Sequence, residues 1–317
     1  MKKFLKRIAF ILLFVFIFFN IVCAFQAWHL THFYDREAFE APHQAGFFEQ
    51  TGNILFGEKF PKSLLVDSLH IPHSNVSITS EDGLKLACWK ILHSDTGEVH
   101  KGTVIMFHGH GSNKSGVIQE AGSFYNLGWN VFMVDFRAHG ESDGNECSIG
   151  YHETKDVKAA YDYIMAGGEK NIVLWGISMG AAAITKAVND YPAMKPQKLI
   201  LEMPFGTMLE AVEGRVRIMD LPTEPLGAML TFWGGNVLGV WAFSNKPEEF
   251  AKKITCPVLL QWGKEDPRVS VNETNAVFNN ITAVKKTLVE YDGVTHQSIC
   301  KNAHEKWMQN VTTFLNK

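Results

Sequence analysis

The sequence predicts an α/β protein: a mostly parallel, eight-stranded, doubly wound sheet with a small helical insertion, preceded by one N-terminal transmembrane helix. Three observations predict it. Short apolar runs alternate with segments of helical spacing from residue 76 onward, the alternation is suspended between Glu202 and Thr255, and residues 8–19 read IAFILLFVFIFF directly after Lys2, Lys3, Lys6 and Arg7. Continuous apolar strands separated by helices indicate a parallel sheet covered on both faces.

The N-terminal run stays apolar to about Phe25, with Asn20 as its one polar interruption. A helix of that extent rises roughly 27 Å at about 1.5 Å per residue, close to the hydrocarbon thickness of a bilayer. It reads as an uncleaved anchor over residues 8–28, behind a basic cytoplasmic segment at 1–7. The alternative is a signal peptide cut after Val22-Cys23-Ala24. The length of the run favours the anchor. In both cases the basic N-terminus stays in the cytoplasm and the rest crosses, so the domain that follows is expected to be extracytoplasmic: periplasmic in a Gram-negative cell, or secreted after cleavage. Residues 29–75 carry little periodicity and read as a connector with one or two short helices.

The main domain is expected over 76–317. Its first two runs, VSI (76–78) and LKLACW (84–89), are joined by Ser80-Glu81-Asp82-Gly83, which leaves no room for a helix. They should pair as an antiparallel hairpin at one sheet edge. The remaining runs are TVIMF (103–107), VFMVD (131–135), IVLW (172–175), LILE (199–202), PVLLQW (257–262) and TLVEY (287–291). Helical patterns lie at 115–126, 152–165, 179–190, 272–279 and 303–315. The insertion, about 203–255, is punctuated by glycine and proline and rich in bulky apolar residues, as in LPTEPLGAMLTFWGGNVLGVWAF (221–243). Leaving the sheet at its ligand-binding edge, it reads as a lid over an apolar pocket.

At 317 residues, 46% hydrophobic and 20% charged, the chain can bury a sizeable core. A net charge of −3 without long runs of one sign gives no electrostatic case for nucleic acid. Cys23, Cys88, Cys147, Cys256 and Cys300 form no C-x-x-C pair, which argues against a zinc knuckle. Disulfides and buried free thiols both remain open for the four beyond the N-terminal helix.

Gly-x-Ser-x-Gly occurs twice, around Ser142 and around Ser178, so context has to select the nucleophile. Before Ser178 a strand ends against Gly176, and the AAAITKAV that follows is an unbroken helix former. A serine at so sharp a strand-to-helix turn holds its hydroxyl above the sheet, beside the positive end of a helix suited to a developing oxyanion. At Ser142 the strand has already ended at Asp135, and the DGNECS after it cannot start a helix. Ser178 is therefore the expected nucleophile.

A serine hydroxyl needs a base, and the base needs an acid to orient it, in the chain order serine, acid, histidine for this arrangement. The loop after PVLLQW supplies Asp266, with Glu265 as the fallback. The loop after TLVEY supplies His296, whereas His304 falls within a helical pattern. The oxyanion hole requires two backbone donors, for which the amides of His110, in the loop HGHGSNK (108–114), and Met179 are the candidates. For the His108/His110 pair a metal reading finds no matching third ligand.

Taken together, HGHGSNK (108–114), VDFRAHGESDG (134–144), GISMG (176–180), QWGKEDPRV (261–269) and GVTHQS (293–298) resemble the α/β-hydrolase superfamily over about residues 76–317. The resemblance implies the α/β-hydrolase fold and explains the second glycine-flanked serine, because VDFRAHGESDG is similar to a structural strand-4 loop of that superfamily. Ala138 stands where that loop usually has glycine, and His110 where smaller or aromatic residues are frequent. Within the superfamily the chain looks most like membrane-anchored bacterial hydrolases of the lysophospholipase and serine aminopeptidase branch. The expected activity is hydrolysis of carboxylic esters with a hydrophobic acyl group, a lipid or lysolipid, through Ser178, His296 and Asp266 without metal or cofactor. A serine aminopeptidase is the second reading and would use Glu210, Glu213 or Glu224 to hold an amine; a non-catalytic binding protein on the same fold is the third.

Overall fold

The computed structural model describes residues 2–34, 47–65, 70–93 and 100–317. The elements in chain order are α1 (Lys2–Thr31), β1 (Phe33–Tyr34), α2 (Phe47–Phe56), β2 (Phe60–Pro61), β3 (Ser74–Thr79), β4 (Lys85–Ile91), β5 (Thr103–Phe107), α3 (Ile118–Asn126) and β6 (Asn130–Val134). They continue with α4 (Thr154–Ala166), β7 (Ile172–Ile177), α5 (Met179–Asp190), β8 (Lys198–Glu202), α6 (Met208–Arg217), α7 (Leu226–Val237), α8 (Pro247–Phe250), β9 (Val258–Gly263), α9 (Val271–Asn280), β10 (Lys286–Tyr291), α10 (Ile299–Asn302) and α11 (His304–Leu315).

The main sheet has the order β10-β9-β8-β7-β5-β6-β4-β3. The six strands from β5 to β10 run parallel, while β4 pairs antiparallel with both β3 and β6. The predicted edge hairpin is there, closed by a turn in which Gly83 takes φ +88°. The strand period of two sorts the core into two layers. Along β7, Ile172 and Leu174 face one cluster, and Val173 and Trp175 face the other.

From β5 the chain moves to one side of the sheet through β6 and then returns past β5 to build β7, β8, β9 and β10 on the other. The crevice at the carboxyl ends of β5 and β7 is therefore the topological switch point at which open α/β sheets bind ligands. The turns after both strands carry expected site residues.

The structure adds detail at three places. The apolar helix runs without a break from Lys2 to Thr31, so the basic segment at 1–7 is part of it from Lys2 on, and it outlasts residue 28. Its continuation is stabilised by contact, with Cys23, Ala27 and Thr31 buried on one face. Among its described residues the connector contains one helix, α2, as expected, and a two-stranded parallel sheet of β1 and β2 that no periodicity announced, since two-residue strands are too short to show one. The helical pattern at 115–126 opens as a 3-10 turn over Lys114–Val117 before α3.

Between β8 and β9 lie α6, α7, α8 and short 3-10 turns, and α7 packs along α1. At that contact the Trp233 indole N–H donates to Asn20 Oδ1 at 3.1 Å. The one polar residue in the apolar run is thus the point at which the insertion is clamped to the helix. Among the described residues α1 is the one helix that is by itself long and apolar enough to cross a membrane. All five cysteines are free thiols, four of them buried and Cys256 partly so.

Candidate active site

Ser178 sits between the end of β7 and the first residue of α5, with φ +54° and ψ −115°. A non-glycine residue there is strained, and the strain is held by close packing on both sides. A β-carbon on Gly176 would lie 2.6 Å from the Gly180 carbonyl carbon, and one on Gly180 would lie 2.3 Å from the Phe107 carbonyl oxygen. Real side chains do not reach such distances, so both glycines are required for the end of β5 and the start of α5 to approach this closely. The Ser178 amide donates to the Glu202 carbonyl at 2.7 Å, tying the turn to β8.

The two residues expected to activate this serine meet it. His296 Nε2 is 2.9 Å from Ser178 Oγ, and its Nδ1 is 2.6 Å from Asp266 Oδ2. Asp266 Oδ1 accepts the amides of Arg268 at 2.8 Å and Val269 at 2.9 Å. The carboxylate is therefore locked, and its buried side chain presents one oxygen to the imidazole. Glu265 is exposed, as is His304.

His110 and Met179 line one cavity together with Ser178 and His296. Among the described residues neither the His110 nor the Met179 amide donates to another protein group. Two unspent N–H groups beside the serine are what an oxyanion requires.

Two further histidines hold that loop in place. His108, buried, donates Nδ1–H to the Gly109 carbonyl at 2.7 Å and accepts the Phe136 amide on Nε2 at 3.1 Å. His139 donates Nδ1–H to the Arg137 carbonyl at 2.8 Å and accepts the Gly111 amide at 3.1 Å. Burial brings both imidazoles down to about 4, so both stay neutral and can accept these amides at neutral pH. His108 and His139 thus staple the turn after β5 to the turn after β6. Nothing in their spacing announces the arrangement, because each bond joins residues 28 apart.

Ser142 is also built into this scaffold. Its hydroxyl donates to the Asp135 carbonyl at 2.7 Å and accepts the Ala87 amide at 2.9 Å. Asp135 binds Lys114 Nζ at 2.5 Å, and Arg137 bridges Asp156 and Asp82 at 2.7 and 2.8 Å. Ala138 adopts φ +62°, the left-handed conformation that makes glycine the easier residue there.

The cavity has a volume of about 550 Å³. Its walls are largely apolar and come from α6 and α7 (Met208, Val212, Val216, Leu226 and Leu230), from Phe205, and from α1. The α1 contribution is Phe19, Val22, Cys23, Gln26, Ala27, Leu30 and Thr31. That spacing is one helical face, followed over about 18 Å at 1.5 Å per residue. His110 also lines the cavity, and its ring packs on Phe33 with centroids 5.3 Å apart.

The family model described as serine aminopeptidase, S33, matches residues 98–231, which include the turn at Ser178. The chain is 27% identical over 216 residues to the protein YqkD of Bacillus subtilis, an alignment covering 67% of this chain and 70% of that one. It is 27% identical over 165 residues to the lysophosphatidylserine lipase ABHD12 of Rattus norvegicus, covering 48% of this chain and 38% of the lipase. Among solved structures, an esterase of Pyrococcus furiosus superposes with a TM-score of 0.67 over 81% of this chain and 96% of its own, at 23% identity, a likeness of fold. Sheet order, the strained turn after β7 and these similarities give the chain the α/β-hydrolase fold, with similarity to hydrolases of the lysophospholipase and serine aminopeptidase branch.

Proposed function

We propose that the protein is a membrane-anchored serine hydrolase that cleaves carboxylic esters of a hydrophobic acyl group. The observation that carries the reading is the unbroken chain Ser178 Oγ, His296 Nε2, His296 Nδ1, Asp266 Oδ2, at 2.9 and 2.6 Å, opening into an apolar cavity. His296 takes the Ser178 proton as Oγ attacks the ester carbonyl, and Asp266 stabilises the imidazolium that forms. The His110 and Met179 amides receive the negative charge on the carbonyl oxygen. Collapse expels the alcohol, which takes the proton from His296. Water then attacks the acyl-enzyme with His296 as base, releasing the acid and restoring Ser178.

The lining favours the ester reading over the aminopeptidase one. Glu210, Glu213 and Glu224 do not line the cavity; Glu210 instead accepts the Thr207 hydroxyl at the start of α6. An amine would meet cations there, Arg215 and Arg268, with Glu58 as the one acidic lining residue. The acyl chain is placed against α1, α6 and α7, so residues about 203–255 act as the lid. We place residues 8–28 of α1 in the bilayer and the hydrolase domain, 76–317, outside the cytoplasm, from the basic N-terminus and the exposed apolar face of the helix.

A fluorophosphonate probe applied to the full chain and to Ser178→Ala tests the chemistry. Labelling that disappears in the variant is expected; labelling that persists in it, or is absent from the folded wild type, removes the proposal. A panel of acyl esters and aminoacyl amides then decides the substrate, and faster turnover of the amides overturns the ester reading. Protease accessibility in intact cells tests the side of the membrane.

A further inference from the structure

Two guanidinium groups flank the candidate triad and, among the described residues, have no carboxylate partner. Arg215, on α6, lies with Nη1 3.5 Å from His110 Nδ1 and with its guanidinium 5.8 Å from the centre of the Phe60 ring. Arg268 is two residues beyond Asp266 and donates its amide to that carboxylate. Both line the cavity that contains Ser178. One cation therefore adjoins the oxyanion side of the site, and the other adjoins the acid side.

Close backbone packing brings them together. A β-carbon on Gly214 would lie 2.3 Å from the Arg268 carbonyl oxygen, so only glycine lets α6 press against the loop that carries Asp266. Arg215 follows directly in sequence. Among the described residues neither arginine forms a salt bridge, and the acid on the lining, Glu58, is exposed and paired with neither. Elsewhere in this protein a buried arginine is compensated: Arg137 holds two aspartates. Burial and the neighbouring Arg268 both lower the proton affinity of Arg215. Two like charges at an apolar cavity, one of them half-buried, are costly unless an anion completes them.

We propose that Arg215 and Arg268 form an anion-binding subsite for the acidic headgroup of a single-chain ester lipid, so that the preferred substrate is an anionic lysolipid. The inference rests on the hydrolase reading and adds the headgroup to it. Arg268 is exposed and Arg215 half-buried, which places the headgroup at the mouth and sends the acyl chain inward toward α1. A cavity of about 550 Å³ suits one chain. Planar guanidinium forks match the paired oxygens of a phosphodiester or carboxylate.

The test uses the full chain in dodecylmaltoside with myristoyl lysophosphatidylglycerol and myristoyl lysophosphatidylcholine, which share an acyl chain and differ in net charge. Fluorophosphonate labelling of Ser178 in the same preparation is read first. No labelling removes the hydrolase reading itself, whereas labelling without headgroup preference removes only this inference. The wild type is expected to favour the anionic lipid in kcat/KM by about tenfold or more, the scale of one charge-assisted hydrogen bond. Arg268→Gln, at an exposed position that keeps the backbone bond to Asp266, is expected to collapse that ratio toward one. Arg215→Lys keeps a charge but not the fork and is expected to retain part of the preference. Equal rates in the wild type, or a ratio that Arg268→Gln does not move, overturn the subsite. Competitive inhibition by inorganic phosphate with no headgroup preference also overturns it, by showing a site for a free anion.

Discussion

Glu202 gives a prediction with a calculable size. Its side chain is buried beneath the candidate site, and Trp175, Trp307 and Gln261 all donate to one oxygen, Oε1, at 2.9, 2.7 and 3.1 Å. The other oxygen, Oε2, has no partner among the described residues. Burial, with Glu120 nearby, pushes the carboxyl up to about 8 against the two indole donors that favour its charge. In the unfolded chain it titrates near the ordinary 4.5. Below that pH both states hold the proton and stability is unaffected. Between there and about 8 the unfolded chain releases a proton that the native state keeps, so stability falls as pH rises, by about 1.4 kcal/mol per pH unit. Over the whole window the loss reaches about 5 kcal/mol. Glu202→Gln replaces the neutral acid by a neutral isostere that still offers one oxygen to the three donors, and it removes this slope. Thermal unfolding of wild type and variant in one detergent, from pH 5 to 8.5, should show midpoints that diverge with pH in favour of the variant. The divergence is on the order of 10 °C at about 2–4 °C per kcal/mol. Any constant offset reflects how the glutamine amide fits at the Oε2 position and leaves the slope untouched. Parallel pH profiles for the two proteins would falsify the argument, because they would mean that the carboxyl is already ionised in the native state.

Four other outcomes follow from the geometry. Asp266→Asn keeps the shape of the loop but presents an amide to His296 Nδ1; kcat on a short ester should fall by about 10³ to 10⁴, and a loss below tenfold refutes its role. Ser142→Ala leaves the Ala87 amide without its acceptor and should lower stability by about 1–3 kcal/mol in denaturant unfolding, while fluorophosphonate labelling at Ser178 persists. Ala27→Phe, on the cavity face of α1, should lower the ratio of myristoyl to butyryl ester hydrolysis; an unchanged ratio shows that the chain lies elsewhere. Gly214→Ala drives a methyl into the Arg268 carbonyl and should destabilise by about 1–3 kcal/mol, read as a lowered unfolding midpoint.

All eight strands of the main sheet were legible because each holds a short β-rich apolar run bounded by turn formers, near-continuous in β5 to β9 and alternating with polar residues in β3. The candidate triad was legible for a related reason: Ser178, Asp266 and His296 each follow a strand directly, so local sequence places them at the same sheet edge. The staples His108 and His139, and the juxtaposition of Arg215 with Arg268, were not legible. They depend on turns from distant strands meeting, and neither spacing nor residue type encodes that contact. The lining face of α1 was hidden for another reason. A helix apolar on every side offers no contrast by which to tell a protein-facing stripe from a lipid-facing one, and the small residues Cys23, Ala27 and Thr31, four apart, are the faint trace it leaves.

That face alters how the rate of the proposed hydrolase should be expressed. On the proposed reading, with α1 in the bilayer as a wall of the cavity, an acyl chain would slide from the lipid phase along the helix without crossing water. No hydrophobic transfer then opposes binding, and none assists it. The governing variable becomes the mole fraction of substrate in the membrane, so diluting vesicles in buffer should leave turnover unchanged while diluting substrate among inert lipids slows it. A form cut after Ala24 would lack Phe19, Val22 and Cys23 from the wall of the cavity and, on the same reading, would lose both the two-dimensional supply and part of the selectivity.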